Sequence, residues 1–207
     1  MMSRCKPRIF LPATALFLLL LLQAGLAAAG PRDHQDGFFL RLSAGGGSAS
    51  TSIDDGTDKM EISGSAGDLN IAVGAMVTPN LALHGTLMGW SMQDPDLEIN
   101  GTTLGEINGD VTAAGFGGGL TWYFMPVNMY LSGSLGVGSL ELDAGNVAVE
   151  SDSGLIADLT LGKEWWVGEK WALGAAVGLT THSFSDPDVD EDWSGTSFCL
   201  RFTASMN

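Results

Sequence analysis

Between Asp68 and Val77 the chain alternates strictly. Leu69, Ile71, Val73, Ala75 and Val77 fall on one parity, and Asp68, Asn70, Ala72, Gly74 and Met76 on the other. Period two puts alternate side chains on opposite faces of a β-strand. The pattern recurs at Leu155, Ala157, Leu159, Leu161 and Trp165 against Asp158, Thr160, Gly162, Glu164 and Trp166, with Lys163 the exception on the apolar face. It recurs again at Trp171, Leu173, Ala175, Val177 and Leu179 against Ala172, Gly174, Ala176, Gly178 and Thr180. After residue 30 there is no second long apolar run and no convincing amphipathic helix.

Eight such segments are expected, at about 37–47, 66–77, 81–92, 110–124, 128–141, 153–166, 170–182 and 195–205. Thr78-Pro79-Asn80, Met125-Pro126-Val127 and Val167-Gly168-Glu169 are tight turns, punctuated by Pro or Gly. The other connections, about 48–65, 93–109, 142–152 and 183–194, are long. An even number of antiparallel strands, with short turns at one end and long loops at the other, predicts an all-β fold: an eight-stranded up-and-down transmembrane barrel. Strands of this length suffice to cross a bilayer when tilted.

A soluble lipocalin-like barrel would instead hide its apolar face inside. The aromatic residues argue against it. Phe38, Trp122, Phe124, Trp165, Trp171 and Phe202 all fall beside the short-turn end and on the more apolar parity. That is where a membrane-interface girdle belongs. The opposite parity is rich in Gly, Ala, Ser and Thr, which suits the packed interior of a narrow barrel.

The first thirty residues read differently. A basic start (Arg4, Lys6, Arg8), an apolar run from Ile9 to Leu22 and a small-residue stretch ending at Ala29 form a secretory signal, 1–29. Residues 30–36 are then a short lead-in, and 37–207 the barrel domain. The apolar run is too short for a spanning helix, and Pro12 interrupts it. Without the signal the chain keeps 6 basic side chains against 24 acidic ones, and Cys199 as its sole cysteine. So acidic a chain is a poor partner for nucleic acid, and a single thiol makes no intramolecular disulfide.

The acids are not scattered. Eighteen of the 24 fall in or beside the four long connections, where Lys59 is the only cation. The resulting field attracts divalent cations or basic partners. Asp186, Asp188, Asp190 and Asp192 invite a calcium reading, since hard cations take several carboxylate oxygens. The spacing lacks the glycine and terminal glutamate of an EF-hand, so a solvated loop, at most a weak divalent-cation site, is expected, and no confident metal site.

By parity Arg41, Arg201, Glu164, Tyr123 and Tyr130 belong inside, near the short-turn end. Arg41 and Arg201 sit on the first and last strands, which closure makes neighbours. Two buried arginines need a carboxylate, and Glu164 is the expected partner by depth. Asp68 and Asp158 belong farther toward the loop end, and the whole is expected to form a polar network that plugs the barrel. Lys163 points outward and can snorkel to the interface.

Gly-Phe-Phe-Leu-Arg-Leu at 37–42, Gly-Lys-Glu-Trp-Trp-Val at 162–167 and Phe198-Cys-Leu-Arg-Phe202 carry a resemblance. The chain resembles the small eight-stranded outer-membrane proteins of the OmpA transmembrane domain, OmpX and OmpW group. The resemblance covers essentially all of 37–205. It implies a Gram-negative outer-membrane location, with lipid and lipopolysaccharide as neighbours and the barrel-assembly machinery as a partner during biogenesis. It also turns the acidic loops toward the cell exterior. Such barrels usually end on an aromatic residue, whereas this chain ends Thr-Ala-Ser-Met-Asn207. Either Phe202 serves as an internal signal or the assembly pairing differs.

The resemblance leaves three roles. The first is non-enzymatic: envelope structure, or surface interaction through the acidic loops, with no cofactor. The second is OmpW-like passage of small hydrophobic molecules, for which Met88, Trp90, Met92, Phe184 and Trp193 are candidate lining residues. The third, most distant, is lipid A modification. His182 with Ser183 and Ser185 is the only arrangement near a rim that invites it, and its spacing does not match the His-aromatic-Ser pattern of the deacylases.

Overall fold

The structure, a computed structural model, describes residues 37–54, 56–125, 127–144, 147–185 and 191–206. The expected signal segment 1–29, the lead-in 30–36, and Asp186, Asp188 and Asp190 lie outside the described residues. The strands are β1 (Gly37–Asp54), β2 (Lys59–Thr78), β3 (Leu81–Gln93), β4 (Asp96–Ile99), β5 (Thr102–Glu106), β6 (Asp110–Phe124), β7 (Met129–Ala144), β8 (Val147–Glu150), β9 (Gly154–Trp166), β10 (Trp171–Ser185) and β11 (Asp192–Met206). Eight of them close an antiparallel ring in the order β1-β2-β3-β6-β7-β9-β10-β11, and β11 pairs back onto β1 from Leu40↔Met206 to Ser52↔Ser194.

The expected loops are shorter than the sequence pattern suggested. β1 and β2 stay paired as far as Asp54↔Lys59, so most of 48–65 is ladder. β4 and β5 form a hairpin within 93–109, with β4 beside the upper part of β2, and β8 folds back on β7 within 142–152. Alternation persists in these stretches, but its chemistry is exchanged. Along β1, Leu40 and Leu42 point out while Arg41 and Ser43 point in; farther on, Ser48 and Ser50 point out while Ala49 and Thr51 point in. The apolar outward face ends where that exchange begins.

The ring therefore has two levels. Toward the short turns its exterior is apolar: Leu69, Val73 and Val77 on β2, Phe116, Leu120 and Phe124 on β6, Leu131 and Leu135 on β7, and Leu200 on β11 are all exposed. The band is about nine residues tall on most strands, roughly 23 Å at a 40° tilt, close to the apolar height of a membrane barrel. So extensive an apolar surface needs lipid, not water, around it. Toward the long connections the apolar side chains turn inward. Ile62, Met88, Trp90, Met92, Val111, Leu140, Ile156 and Phe184 form one buried cluster, with Leu97, Ile107, Leu142 and Trp193 packed against it.

Candidate functional site

The inside of the lower level is polar and organised around two arginines. Arg201 on β11 faces Gly45 of β1, which in turn faces Asp68 of β2, so the three share one row across the wall. With no side chain at Gly45, the guanidinium reaches over it to Asp68: Nε donates to Oδ1 at 2.5 Å and Nη2 to Oδ2 at 2.8 Å. On its other side Nη1 and Nη2 donate to Asp158 of β9 at 3.1 and 2.6 Å. Thr160 and Thr180 donate to the two Asp158 oxygens at 2.8 and 3.0 Å, and Asn70 adds a longer bond of 3.3 Å. All three charged side chains are buried, and the one guanidinium bridges both carboxylates.

Arg41 sits two inward rows lower, opposite Ser205. Its Nη2 donates to Thr121 at 2.9 Å and Ser132 at 2.7 Å, and its guanidinium lies 4.4 Å from the centre of the Tyr130 ring. Hydroxyls and imidazole extend this layer: His84 bonds Thr86 and Thr121 at 2.8 and 3.0 Å, and Thr86 meets Ser134 at 3.0 Å. Glu164 accepts from Ser205 at 2.5 Å, and the Tyr123 and Tyr130 rings are 5.7 Å apart.

The expected grouping of Arg41, Arg201 and Glu164 is thus corrected. Arg201 takes Asp68 and Asp158, Arg41 takes hydroxyls and an aromatic face, and Glu164 forms an ion pair with neither. The reason is register: the antiparallel closure places Arg41 opposite Ser205 and Arg201 opposite Gly45, four residues apart along β1. Glycines that sequence reasoning left in the background make the room. A Cβ on Gly178 would stand 2.3 Å from the Arg201 guanidinium carbon, and one on Gly162 would stand 2.4 Å from the Tyr130 ring. The sequence signal was inward parity of a glycine alone. Which large side chain lies over it is set by the closure, Gly162 facing Tyr130 and Gly178 lying two residues from the Ala176 that faces Arg201.

Above the arginines the apolar cluster fills the ring. The Met88, Trp90, Met92 and Phe184 side chains are brought together there, fully or nearly buried, and Trp193 packs on them. His182 joins from β10, stacked 4.8 Å from Phe184, with Nε2 3.0 Å from Thr51 Oγ1. Trp90 Nε1 has no hydrogen-bond partner among the described residues. His182 and Ser183 are adjacent on one strand, so they face opposite sides of the wall; Ser183 donates outward to Asp192 at 3.0 Å. Ser185 shares the outward parity of Ser183.

Phe38, Trp122, Phe124, Trp165 and Trp171 all lie on the exterior near the short-turn end. Phe202, also exterior, instead sits four residues above Met206 on β11, midway up the apolar band, because it pairs with Ala175 rather than with Trp171. Lys163 is outward too, its ammonium bonded to the Val127 carbonyl and 5.6 Å from the Trp165 ring. At the opposite end Lys59 meets Glu61 at 2.9 Å, and that carboxylate raises the exposed ammonium's pKa. The acids line up there across strands: Glu61↔Glu98, Asp96↔Glu106, Asp110↔Asp143 and Glu141↔Glu150 are direct pairs. Among the described residues no cluster of His, Cys, Asp and Glu is arranged to hold a metal.

A closed eight-stranded ring with an apolar waist and a polar, filled lower interior defines the small outer-membrane β-barrel fold of Gram-negative bacteria. No family model matches the chain, nor does any curated protein. Among solved structures, Neisserial surface protein A (NspA) is similar, with a TM-score of 0.55 and 14% identity over 82% of this chain and 96% of that one. OprG from Pseudomonas aeruginosa has a TM-score of 0.46 and 15% identity, over 84% and 98%. Ail of Yersinia pestis, in complex with the heparin analogue sucrose octasulfate, has 0.43 and 13%, over 82% and 99%. At 14% identity the likeness to NspA shows the fold alone.

Proposed function

We propose that the protein is a non-enzymatic barrel of the outer membrane that stays closed and acts through its acidic outer end, as envelope structure or as a contact surface. The observation that carries this reading is the filling of the interior at both levels. The Arg201–Asp68–Asp158 bridge crosses the lower level and the Trp90–Phe184 cluster occupies the upper, while the acids project with only Lys59 among them. Phe38, Trp122, Phe124, Trp165 and Trp171 then form the periplasmic girdle, with Phe202 higher among the lipid-facing side chains and lipid and lipopolysaccharide around the wall. The outer field favours cationic surfaces or divalent cations; Asp186, Asp188, Asp190 and Asp192 are its densest carboxylates and its weak divalent-cation loop.

Proteoliposomes carrying the protein should adsorb to a polylysine surface. Adsorption should weaken as salt screens the field and fall sharply when Asp96, Glu98, Glu106 and Asp110 become Asn or Gln. Salt-independent adsorption, or an unchanged variant, would overturn the contact-surface role. Steady currents in planar bilayers would overturn the closed barrel.

A second reading, passage of small hydrophobic molecules, is favoured by one observation: Met88, Trp90, Met92 and Phe184 converge at the outer end of the barrel interior. It requires those side chains to part, and ligand-sensitive currents would reveal it. The lipid A-modifying alternative loses its support, because His182 and the two serines beside it project from opposite faces of β10.

A further inference from the structure

The outward face above the apolar band carries a stratum of its own. One row of paired residues runs Leu155–Ser183–Ser194–Ser52–Glu61–Glu98 from β9 to β4. The next runs Ala157–Thr181–Thr196–Ser50–Ser63–Asp96. A third, lower on the wall, runs Leu200–Gly46–Gly67–Ser91–Thr112–Glu141 from β11 to β7. Strand tilt makes each row climb as it crosses the wall. All three read in the same sequence: apolar or small, then hydroxyl, then carboxylate. The hydroxyl stratum therefore runs as a belt over six adjacent strands of the ring, β10-β11-β1-β2-β3-β6, between lipid-facing and acidic surface, and its height is fixed by the apolar band directly beneath it.

At that height the neighbours of an outer-leaflet wall are lipid headgroups. Between residues 42 and 162 Lys59 is the one Lys or Arg, and between 171 and 200 there is none. The belt thus offers no guanidinium or ammonium array for phosphate, and the acids above it repel phosphate. Ser and Thr hydroxyls both donate and accept, as sugar hydroxyls do, and a twisted sheet presents them in flat, regularly spaced rows. We infer that this belt is a contact surface for the sugar portion of an outer-leaflet glycolipid, engaged through hydroxyl hydrogen bonds rather than through its phosphates or bridging metal. The inference rests on the membrane orientation proposed above, and it names the lipid chemistry that the wall selects.

Native mass spectrometry of the mature chain in detergent tests this with three probes: a short-chain lipopolysaccharide, the same glycolipid stripped of phosphate, and phosphatidylglycerol, each with and without EDTA. The two glycolipids should bind within about threefold of each other, both about tenfold tighter than phosphatidylglycerol, and EDTA should change nothing. Replacing Ser50, Ser63, Thr181 and Thr196 by Ala should weaken the phosphate-free glycolipid about tenfold, the sum of several modest hydrogen bonds. The pair Thr181→Val and Thr196→Val, which keeps side-chain shape, should weaken it by about half that factor on a logarithmic scale.

Heat-shifted gel mobility identifies the folded variants. Tenfold loss on removing phosphate or adding EDTA, equal binding of phosphatidylglycerol, or folded variants that bind as before would each overturn the inference. Adsorption to polylysine is independent of these lipids, so failure here leaves the acidic-surface reading to stand or fall by itself.

Discussion

The lower and upper levels of the barrel use the same strands to solve opposite problems. In the lower level lipid covers the outside, so outward leucines gain little from one another, and the interior is held by hydrogen-bonded charges around Arg201 and Arg41. In the upper level polar headgroups and water cover the outside, and the interior is a conventional apolar core. The parity of β1 never slips between Phe38 and Asp54; what changes is the chemistry assigned to each parity. The surrounding solvent, not the strand, decides which face is the core. Substitutions of the same kind should therefore have different consequences above and below the exchange.

The most damaging single change should fall on the lower interior. Arg201→Met removes the only cation that Asp68 and Asp158 share and leaves two buried carboxylates together. Breaking a buried ion pair from one side costs about 3–5 kcal/mol, read as a lower urea midpoint in lipid vesicles. Adding Asp68→Asn and Asp158→Asn should recover most of that loss, because the cost lies in the orphaned charges. If the single variant were as stable as the parent, the lower level would not be held by its charges.

The upper level should respond to lost volume instead. Trp90→Ala empties the largest fully buried side chain and should cost about 3–5 kcal/mol. Trp90→Phe is the sharper test. It keeps most of the apolar body and removes an indole N–H that has no partner among the described residues, so it should stay within about 1.5 kcal/mol of the parent. A polar role for Trp90 would instead make the two substitutions nearly equal.

Much of the lower level was legible in the sequence, because alternation such as Leu69 to Val77 over nine residues has one physical explanation. Inside-facing residues were legible by the same parity. Partnership was not: depth counted from the nearest turn set Arg201 beside Glu164, whereas stagger around the closed ring sets it in a row with Gly45 and Asp68. Stagger depends on how eight strands close together, which no single strand encodes. The upper extension of β1 and β2 was hidden for a different reason. Ser48 to Ser52 alternate as faithfully as Leu40 to Ala44, but with the polar residues outward, which reads as loop composition when an apolar exterior is the criterion.

Outward substitutions separate the two levels directly. Leu120 lies midway along the apolar stretch of β6, and Leu120→Lys places an ammonium in mid-membrane at about 2–4 kcal/mol. Ser65→Lys makes the same kind of change above the band, where water solvates the ammonium, and should stay within about 0.5 kcal/mol. Equal costs for the two would mean that the boundary between lipid and water lies elsewhere on the wall.

The smallest effect belongs to the carboxylates that face each other across strands. Asp110 on β6 and Asp143 on β7 are direct partners at the outer end, and like charges so placed oppose sheet pairing. Asp110→Lys replaces repulsion by attraction and should stabilise the protein by about 0.2–1 kcal/mol. The gain should shrink as salt is raised from low ionic strength, since both groups are solvent-exposed. The same substitution should weaken adsorption to polylysine, so stability and surface contact are expected to move in opposite directions. If stability were to fall instead, with unfolding still cooperative, the Asp110–Asp143 repulsion would not be the dominant interaction at this position, and the lysine would be displacing a favourable one.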